Sequence, residues 1–106
     1  MKIKIIITTT DSDKTANDIA KYLVKNNLSP CVQIISNINS VYKWKDQLEK
    51  TNEQLLLIKT IPENVEDCKK LIQKHHNYDV PEIVETNGVI LNDEYKAWFI
   101  GNSKEI

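Results

Sequence analysis

The sequence predicts an α+β fold in which a four-stranded antiparallel sheet carries two helices on one face. Three observations support this prediction. Segments dense in β-branched residues mark four strands. Two segments whose apolar residues recur at helical spacing lie between strands. The two middle strands follow one another directly, as a hairpin does. The chain has 106 residues and no linker or repeat, so we expect one domain over residues 1–106.

The first strand and the first helix are the clearest elements. Residues 2–10, KIKIIITTT, predict a buried strand because they are dense and β-branched. Asp11 or Ser12 can cap the helix that follows. Asn26 and Asn27 can end it, because asparagine tolerates the left-handed conformation. Its apolar face comprises Ala16, Ile19, Ala20, Leu23 and Val24.

The middle of the chain predicts a long hairpin. Residues 31–44, CVQIISNINSVYKW, and residues 53–60, EQLLLIKT, are its strands, and the charged residues 45–52 are its turn. A strand of about 14 residues spans roughly 45 Å, which exceeds the width of a domain of this size. We therefore expect the strand to bend at a bulge or to reach beyond the domain. Its exposed edges favour pairing with another chain, so we expect an oligomer.

The second helix and the last strand complete the sheet. Pro62 suits the first turn of a helix, and acidic residues follow it. The apolar face of that helix comprises Val65, Cys68, Leu71 and Ile72. After Pro81, residues 82–91 predict the last strand, and residues 93–100, DEYKAWFI, predict a short amphipathic C-terminal helix. This order of elements is that of the ferredoxin-like plait, a fold with many functions.

Composition and motifs exclude several of those functions. The net charge of −1 gives no basic excess, so we expect neither nucleic acid nor a membrane surface as partner. All the cations are lysines, so no guanidinium is present to hold a phosphate, as an acylphosphatase requires. The third strand lacks the aromatic residues on which RNA-recognition domains stack bases. The loop after the first strand lacks the Cys-x-x-Cys motif of small copper chaperones.

The cysteines and the apolar segments predict a cytoplasmic protein. Cys31 and Cys68 lie in apolar-patterned segments, and we expect two buried, reduced thiols and no disulfide framework. The apolar run near the N-terminus is too short for a signal peptide. No segment approaches the length of a membrane span.

Both histidines lie in the stretch HHNYDVPEI, residues 75–83. His75 and His76 are either the polar end of the second helix, packed at an interface, or a metal site. At helical spacing, His75 falls about 30° and His76 about 70° from the centre of the apolar face. Adjacent helical residues do not face one another, so both imidazoles reach one ion only if the helix ends there. Both interpretations remain open.

A small-ligand cleft is a further hypothesis. Lys59 ends a buried apolar run, where an ammonium group requires an acidic partner or a wet cleft. Glu82 is a candidate partner, and Tyr78 can donate to it. We expect a cleft between subunits that contains Lys59, Tyr78, Glu82 and His76, although a structural salt-bridge network explains these residues equally.

The aromatic residues have two interpretations. The simplest interpretation is that they pack in the core or an interface, and the alternative is a ligand pocket lined by aromatic residues, with Trp44 as the candidate for its wall. The residues are Tyr42, Trp44, Trp98 and Tyr95. No nucleophile–base pair stands out, so the sequence predicts neither an enzyme nor an organic cofactor.

Three stretches together resemble the CutA family of divalent-cation tolerance proteins. They are SPCVQIISNINSVYKWKDQLEKTNEQLLLIKT, then HHNYDVPEI, then NDEYKAWF, in the family's order and spacing. The resemblance implies a ferredoxin-like subunit in a homotrimer held by the long hairpin, similar to PII-like signalling trimers. It also implies a link to tolerance of copper and other divalent ions, which we expect to be exerted in the cytosol. A PII-like small-molecule sensor that uses the intersubunit cleft is the alternative.

The resemblance also implies a metal site. A histidine pair, proposed to bind copper in some members, corresponds to His75 and His76, and a cysteine of that site corresponds to Thr8. Threonine is a poorer copper ligand than a thiolate, so we expect at most weak binding of Cu(II) or a related ion. Other departures from the family pattern are Gln33, Lys43 and Asn77.

Overall fold

The computed structural model describes residues 1–104, and it contains the predicted sheet. The strands are β1 (Lys2–Thr10), β2 (Cys31–Trp44), β3 (Gln47–Thr60) and β4 (Val84–Val89). Their order in the sheet is β2-β3-β1-β4, with every neighbouring pair antiparallel. The helices are α1 (Asp13–Lys25), α2 (Val65–His75), which follows a 3₁₀ turn at Pro62–Asn64, and α3 (Asp93–Gly101). The predicted α+β, ferredoxin-like arrangement is confirmed.

Helix α1 begins and ends where the sequence predicts. The hydroxyl of Ser12 accepts a hydrogen bond from the backbone N–H of Thr15 at 3.1 Å, which satisfies one of the free donors of the first turn. Asn27 adopts the left-handed conformation just after the helix, with φ of 56°. Local capping chemistry therefore fixes both ends of α1.

The main core lies between the sheet and the helices α1 and α2. Strand residues of even number, such as Ile6 and Ile58, meet the apolar faces of both helices. The buried members are Ile6, Ala16, Ile19, Leu23, Leu28, Leu56, Ile58, Cys68 and Ile72. This cluster fixes the end of α2 against the end of β1, where the candidate site lies.

Helix α3 forms a second, smaller cluster. Phe99 is fully buried and packs with Ile3, Ile61 and Ile90. Side chains alternate between the two faces of a strand, and Ile3 and Ile6 are three residues apart in β1, so they point to opposite faces of the sheet. The predicted C-terminal helix is therefore present and closes part of the face that α1 and α2 leave open. Within residues 1–104, no helix is long and apolar enough to cross a membrane.

The hairpin of β2 and β3 both bends and projects. The pairing register shifts between Ile35 and Ile38, and Asn37 has φ of 62°, which places the predicted bulge there. The described chain is 47 Å long and only 25 Å wide. The distal hairpin accounts for this elongation, since its residues 41–50 are all exposed.

The turn of the hairpin is shorter than predicted. Residues 45–52 were predicted as a turn, but β3 begins at Gln47, and only Lys45 and Asp46 connect the strands. Both have positive φ, 50° and 65°, as a tight turn that matches the strand twist requires. The charged residues after the turn join the ladder because strand pairing uses backbone groups, which side-chain polarity does not remove.

The last strand is also shorter than the predicted residues 82–91. β4 pairs with β1 only from Val84 to Val89. Before Val84 the side chain of His76 bonds the carbonyl of Thr9, so a loop takes the place that residues 82 and 83 would have occupied in the strand. The burial prediction for Cys31 was wrong: it is only partly buried, because it lies opposite Lys59 on the face away from α1 and α2. Cys68 is buried as predicted.

Candidate functional site

The segment of residues 76–83, called the junction loop here, joins α2 to β4 and is held by His76. The imidazole Nδ1 lies 3.0 Å from the backbone nitrogen of Tyr78, and Nε2 lies 2.9 Å from the carbonyl oxygen of Thr9. A backbone N–H can only donate, so Nδ1 accepts and Nε2–H donates to Thr9. His76 is therefore a neutral imidazole in one defined tautomer, with both nitrogens engaged. Burial lowers its pKa, against an opposing effect of the Thr9 carbonyl.

His75 faces a different element. Its ring stacks on Tyr22 of α1, with centroids 4.6 Å apart. It borders a cleft of about 480 Å³ that Lys70 and Lys74 also line. Two neighbouring ammonium groups oppose the approach of a metal cation. The two imidazoles thus diverge, His75 toward α1 and His76 toward β1.

The residues present do not fit a copper chelate. His76 has no free lone pair, and among residues 1–104 no cluster of three or more His, Cys, Asp and Glu side chains is placed to hold a metal. Thr8, at the position of the family's cysteine, is fully buried and paired with Leu56 in the sheet. Thr8 is two residues after Ile6 in β1, so its side chain points to the same face of the sheet, into the core that α1 and α2 cover. The structure does not bring His75, His76 and Thr8 to one point.

A groove of about 700 Å³ lies between the junction loop and the distal part of β2. This volume is in the range of small-ligand sites. The polar and aromatic side chains at its surface include Tyr42, Trp44, Glu53, Tyr78, Asp79 and Glu82. The groove therefore brings together three of the predicted cleft residues, Trp44, Tyr78 and Glu82, within a single chain.

The deepest acidic group of the groove is Glu53, which the cleft hypothesis did not include. It is 4% exposed, and its Oε2 accepts a 2.6 Å hydrogen bond from the hydroxyl of Tyr78. Burial raises the pKa of Tyr78, and the hydrogen bond to Glu53 raises it further, so the phenol stays protonated and donates. The sequence did contain a signal for Glu53, because it is an acidic residue at the first position of a predicted strand that is otherwise mostly apolar.

A second set of hydrogen bonds fixes the start of the junction loop. Thr10 donates from its hydroxyl to Oδ1 of Asn77, and Nδ2 of Asn77 donates to Asp11 at 2.7 Å. Together with the two bonds of His76, these contacts tie the loop to the end of β1. The contacts of His76 and Asn77, together with the bond from the backbone N–H of Tyr78 to His76, hold Tyr78 over Glu53.

The other predicted residues lie away from the groove. Lys59 pairs with Ile5 and Cys31 near the opposite end of β3. It is six residues from Glu53, or roughly 20 Å along a strand that rises about 3.3 Å per residue. It forms no ion pair with any of the described residues, Glu82 included. Trp98 is on α3, about half exposed and 5.4 Å from Tyr95 between ring centroids.

Comparison with known proteins matches one family over most of the chain. The family model for the CutA1 divalent ion tolerance protein matches residues 4–102. A "Protein CutA homolog" from Xenopus laevis is 37% identical over 90 residues, which are 85% of this chain and 60% of that protein. The chain thus spans about three fifths of the length of that relative.

Two solved structures carry the same fold. The divalent cation tolerance protein from Thermus thermophilus is 34% identical, with a TM-score of 0.90 over 98% of this chain and 100% of that one. A protein from Archaeoglobus fulgidus described as a periplasmic divalent cation tolerance protein is 26% identical. Its TM-score is 0.88 over 94% of this chain and 97% of that one.

Proposed function

Because the chain belongs to the CutA1 divalent ion tolerance family, we propose that it contributes to a cell's tolerance of divalent cations, and that it does so as a homotrimer. The observation that carries the proposal is the family match, which extends over residues 4–102. The relatives' names indicate tolerance and no chemical reaction, so the proposed role is one of binding or regulation.

The hairpin supports the proposed assembly. Its distal part exposes apolar side chains: Val41 is 63% exposed, Trp44 50% and Leu48 78%. A projecting apolar hairpin is costly in water and invites contact with another chain. We propose that Tyr42 and Trp44 contact a neighbouring subunit in the trimer, with Trp98 on α3 as a further contact.

The chemistry of the histidines limits how a metal enters this function. Both nitrogens of His76 are engaged, and the lysines beside His75 disfavour a cation. We therefore propose that Cu(II) binding by this chain is weak and involves a single accessible imidazole, that of His75. Because this binding is weak, we propose that the protein does not confer tolerance by storing copper, and that tolerance depends on the assembled protein and its ligands.

The test is growth under copper stress. A host whose own family member has been deleted is supplied with this chain and grown in rising Cu(II). We expect growth to be restored by the natural chain and by His76→Gln, and to be lost with Leu48→Asp, which places a charge at the projecting hairpin. Sedimentation of each purified protein shows whether loss of growth accompanies loss of the trimer. Failure of the natural, trimeric chain to restore growth contradicts the proposal.

A second candidate function is supported by the groove. Its volume, its aromatic walls and the buried Glu53 favour a PII-like role in which a small molecule binds and the trimer relays its presence. A thermal-shift screen of metabolites separates this role from a purely metal-dependent one, since a ligand stabilises the state it binds.

The proposed location is the cytoplasm. Cys31 and Cys68 are free thiols, which are usual in reducing compartments. The Archaeoglobus fulgidus relative is described as periplasmic, so fractionation of the natural host is the deciding measurement.

A further inference from the structure

The buried carboxylate of Glu53 lacks a counterion. It is 4% exposed, and within the described chain its one hydrogen bond comes from Tyr78 to Oε2. Oε1 has no donor among the described residues, and it is not one of the atoms sealed from solvent. No ion pair among residues 1–104 involves Glu53. A carboxylate held in a protein interior with a single neutral donor is costly unless a cation reaches it. Glu53 lines the groove, so a cation can reach it from there.

The walls of the groove suit an organic cation. Tyr42, Trp44 and Tyr78 present aromatic rings, which attract ammonium groups through their faces and pack against methylene groups. Asp79 and Glu82 add two carboxylates at the exposed side of the groove. No lysine of the described chain lines it. The groove therefore combines one buried negative charge, apolar aromatic surface and further negative charge near solvent.

We propose that this groove binds a small aliphatic diamine. One ammonium group bonds Oε1 of Glu53, the methylene chain lies against Tyr42 and Trp44, and the second ammonium group is neutralised by Asp79 and Glu82. This assignment names the ligand class for the small-molecule role proposed above and rests on that role.

A divalent metal ion fits the groove less well than a diamine. A metal ion requires several oxygen or nitrogen ligands that converge within bonding distance. Among residues 1–104, no cluster of three such side chains exists, and aromatic rings contribute none. An ammonium group needs only one carboxylate and tolerates aromatic neighbours.

The experiment uses the assembled full-length protein and 1,4-diaminobutane in a phosphate buffer without amines. The Trp98→Phe variant leaves Trp44 as the one tryptophan, so its fluorescence reports on the groove, and calorimetry on the natural chain gives the affinity. We expect the diamine to bind at least about tenfold more tightly than the neutral isostere 1,4-butanediol, a difference of about 1.4 kcal/mol. The affinity falls as salt is raised, as for any charge pair that solvent reaches.

Two matched variants locate the site. Glu53→Gln keeps the shape and still accepts the hydrogen bond of Tyr78, but removes the charge, and it should lose about tenfold in diamine affinity. Glu63→Gln removes an exposed charge outside the groove and should bind as the natural chain does. If Glu53→Gln fails to fold, the comparison of diamine with diol on the natural chain still decides.

Three results would overturn the proposal: equal affinity for diol and diamine, unchanged diamine binding in Glu53→Gln, or a Trp44 response to Cu(II) or Mg²⁺ without one to the diamine. Copper tolerance is measured in a separate growth experiment. If the chain does not restore growth there, the result for diamine binding still stands. Loss of diamine binding with intact copper tolerance refutes only the ligand assignment.

Discussion

The backbone N–H of Tyr78 donates to Nδ1 of His76 two residues earlier, at 3.0 Å, and so fixes which nitrogen of the imidazole carries the proton. Nε2 then donates to Thr9, and one neutral side chain joins the junction loop to β1. A protonated imidazole has two donors and no acceptor, so it cannot keep the bond from Tyr78. The loop's attachment is therefore sensitive to the charge of His76.

We predict that stability falls on acidification because of His76. Its folded pKa is lower than the unfolded value of about 6.5. The unfolded state therefore binds the proton more readily, and stability that is complete above about pH 6.5 is lost as pH falls through the folded pKa. Thermal unfolding between pH 7.5 and 5 measures this loss. His76→Gln should flatten the pH dependence of Tm in this range, whereas His75→Gln should keep it; the same slope in all three proteins would contradict the assignment.

The hydroxyl of Thr8 offers a second prediction. Thr8 is fully buried, and its Oγ1 has no hydrogen-bond partner among the described residues. Thr8→Val keeps the shape and removes the unpartnered hydroxyl, so we expect a gain of about 1 kcal/mol in the free energy of unfolding. Chemical denaturation measures it.

Thr60→Val is the matched control for Thr8→Val. Thr60 is equally buried, but its hydroxyl donates to the carbonyl of Leu28 at 2.6 Å. The same substitution there should lower stability by about 1–2 kcal/mol, because that carbonyl keeps only the weak contact from the thiol of Cys68. Effects of the same sign at both positions would show that shape, not hydrogen bonding, decides.

The third prediction concerns Gly88, which lies in β4 opposite Ile3 of β1. A Cβ added to Gly88 would lie 3.1 Å from Cδ1 of Ile5 and 3.2 Å from Cγ1 of Ile3. Gly88→Ala should therefore cost about 1 kcal/mol or more through displaced side chains. At Gly101 nothing lies within 4 Å, and alanine favours a helix, so Gly101→Ala should be neutral or slightly stabilising. The midpoints of urea unfolding for the two variants should move in opposite directions, or only that of Gly88→Ala should move.

The fourth prediction concerns thiol reactivity. Burial raises the pKa of Cys68 to about 11, so almost no thiolate is present at neutral pH. Cys31 is partly buried and therefore more accessible. We expect a thiol reagent to label the folded monomeric chain at Cys31 before Cys68. Mass spectrometry of the peptides measures the order of labelling. Contact between subunits at Cys31 would slow its labelling only in the assembled protein, and early labelling of Cys68 in any state would contradict the burial argument.

The sequence predicts the elements of the fold well where periodicity is strong. β1, α1 and β2 have the predicted bounds because dense β-branched runs and a clear cap leave few alternatives. The turn of the hairpin was missed because Lys45 and Asp46 lack the glycine that usually marks two residues of positive φ. The start of β4 was missed because the side chain of His76 bonds the carbonyl of Thr9 at the end of β1 that residues 82 and 83 would have faced.

The candidate site is predictable in part. Trp44, Tyr78 and Glu82 were expected near a cleft, and they line one groove. Lys59 was expected with them because burial of an ammonium group near an apolar run suggested a partner, but six residues of β3, or roughly 20 Å, separate it from Glu53. Glu53 was overlooked because Tyr78, which bonds it, comes from another part of the chain, and a single glutamate at the start of an apolar run is a weak signal.

The bend of β2 affects the shape of the groove. The register shift between Ile35 and Ile38 divides β2 into a part fixed to the sheet and a distal part that carries Tyr42 and Trp44. The opposite wall is the junction loop, which His76 fixes to β1. We expect the width of the groove between Trp44 and Tyr78 to depend on the angle of the hairpin at this register shift. In the proposed trimer, contacts along the hairpin and the proposed ligand in the groove act on the same angle. By thermodynamic reciprocity we then expect each to change the affinity of the other, so that diamine binding depends on protein concentration through the proposed assembly of subunits.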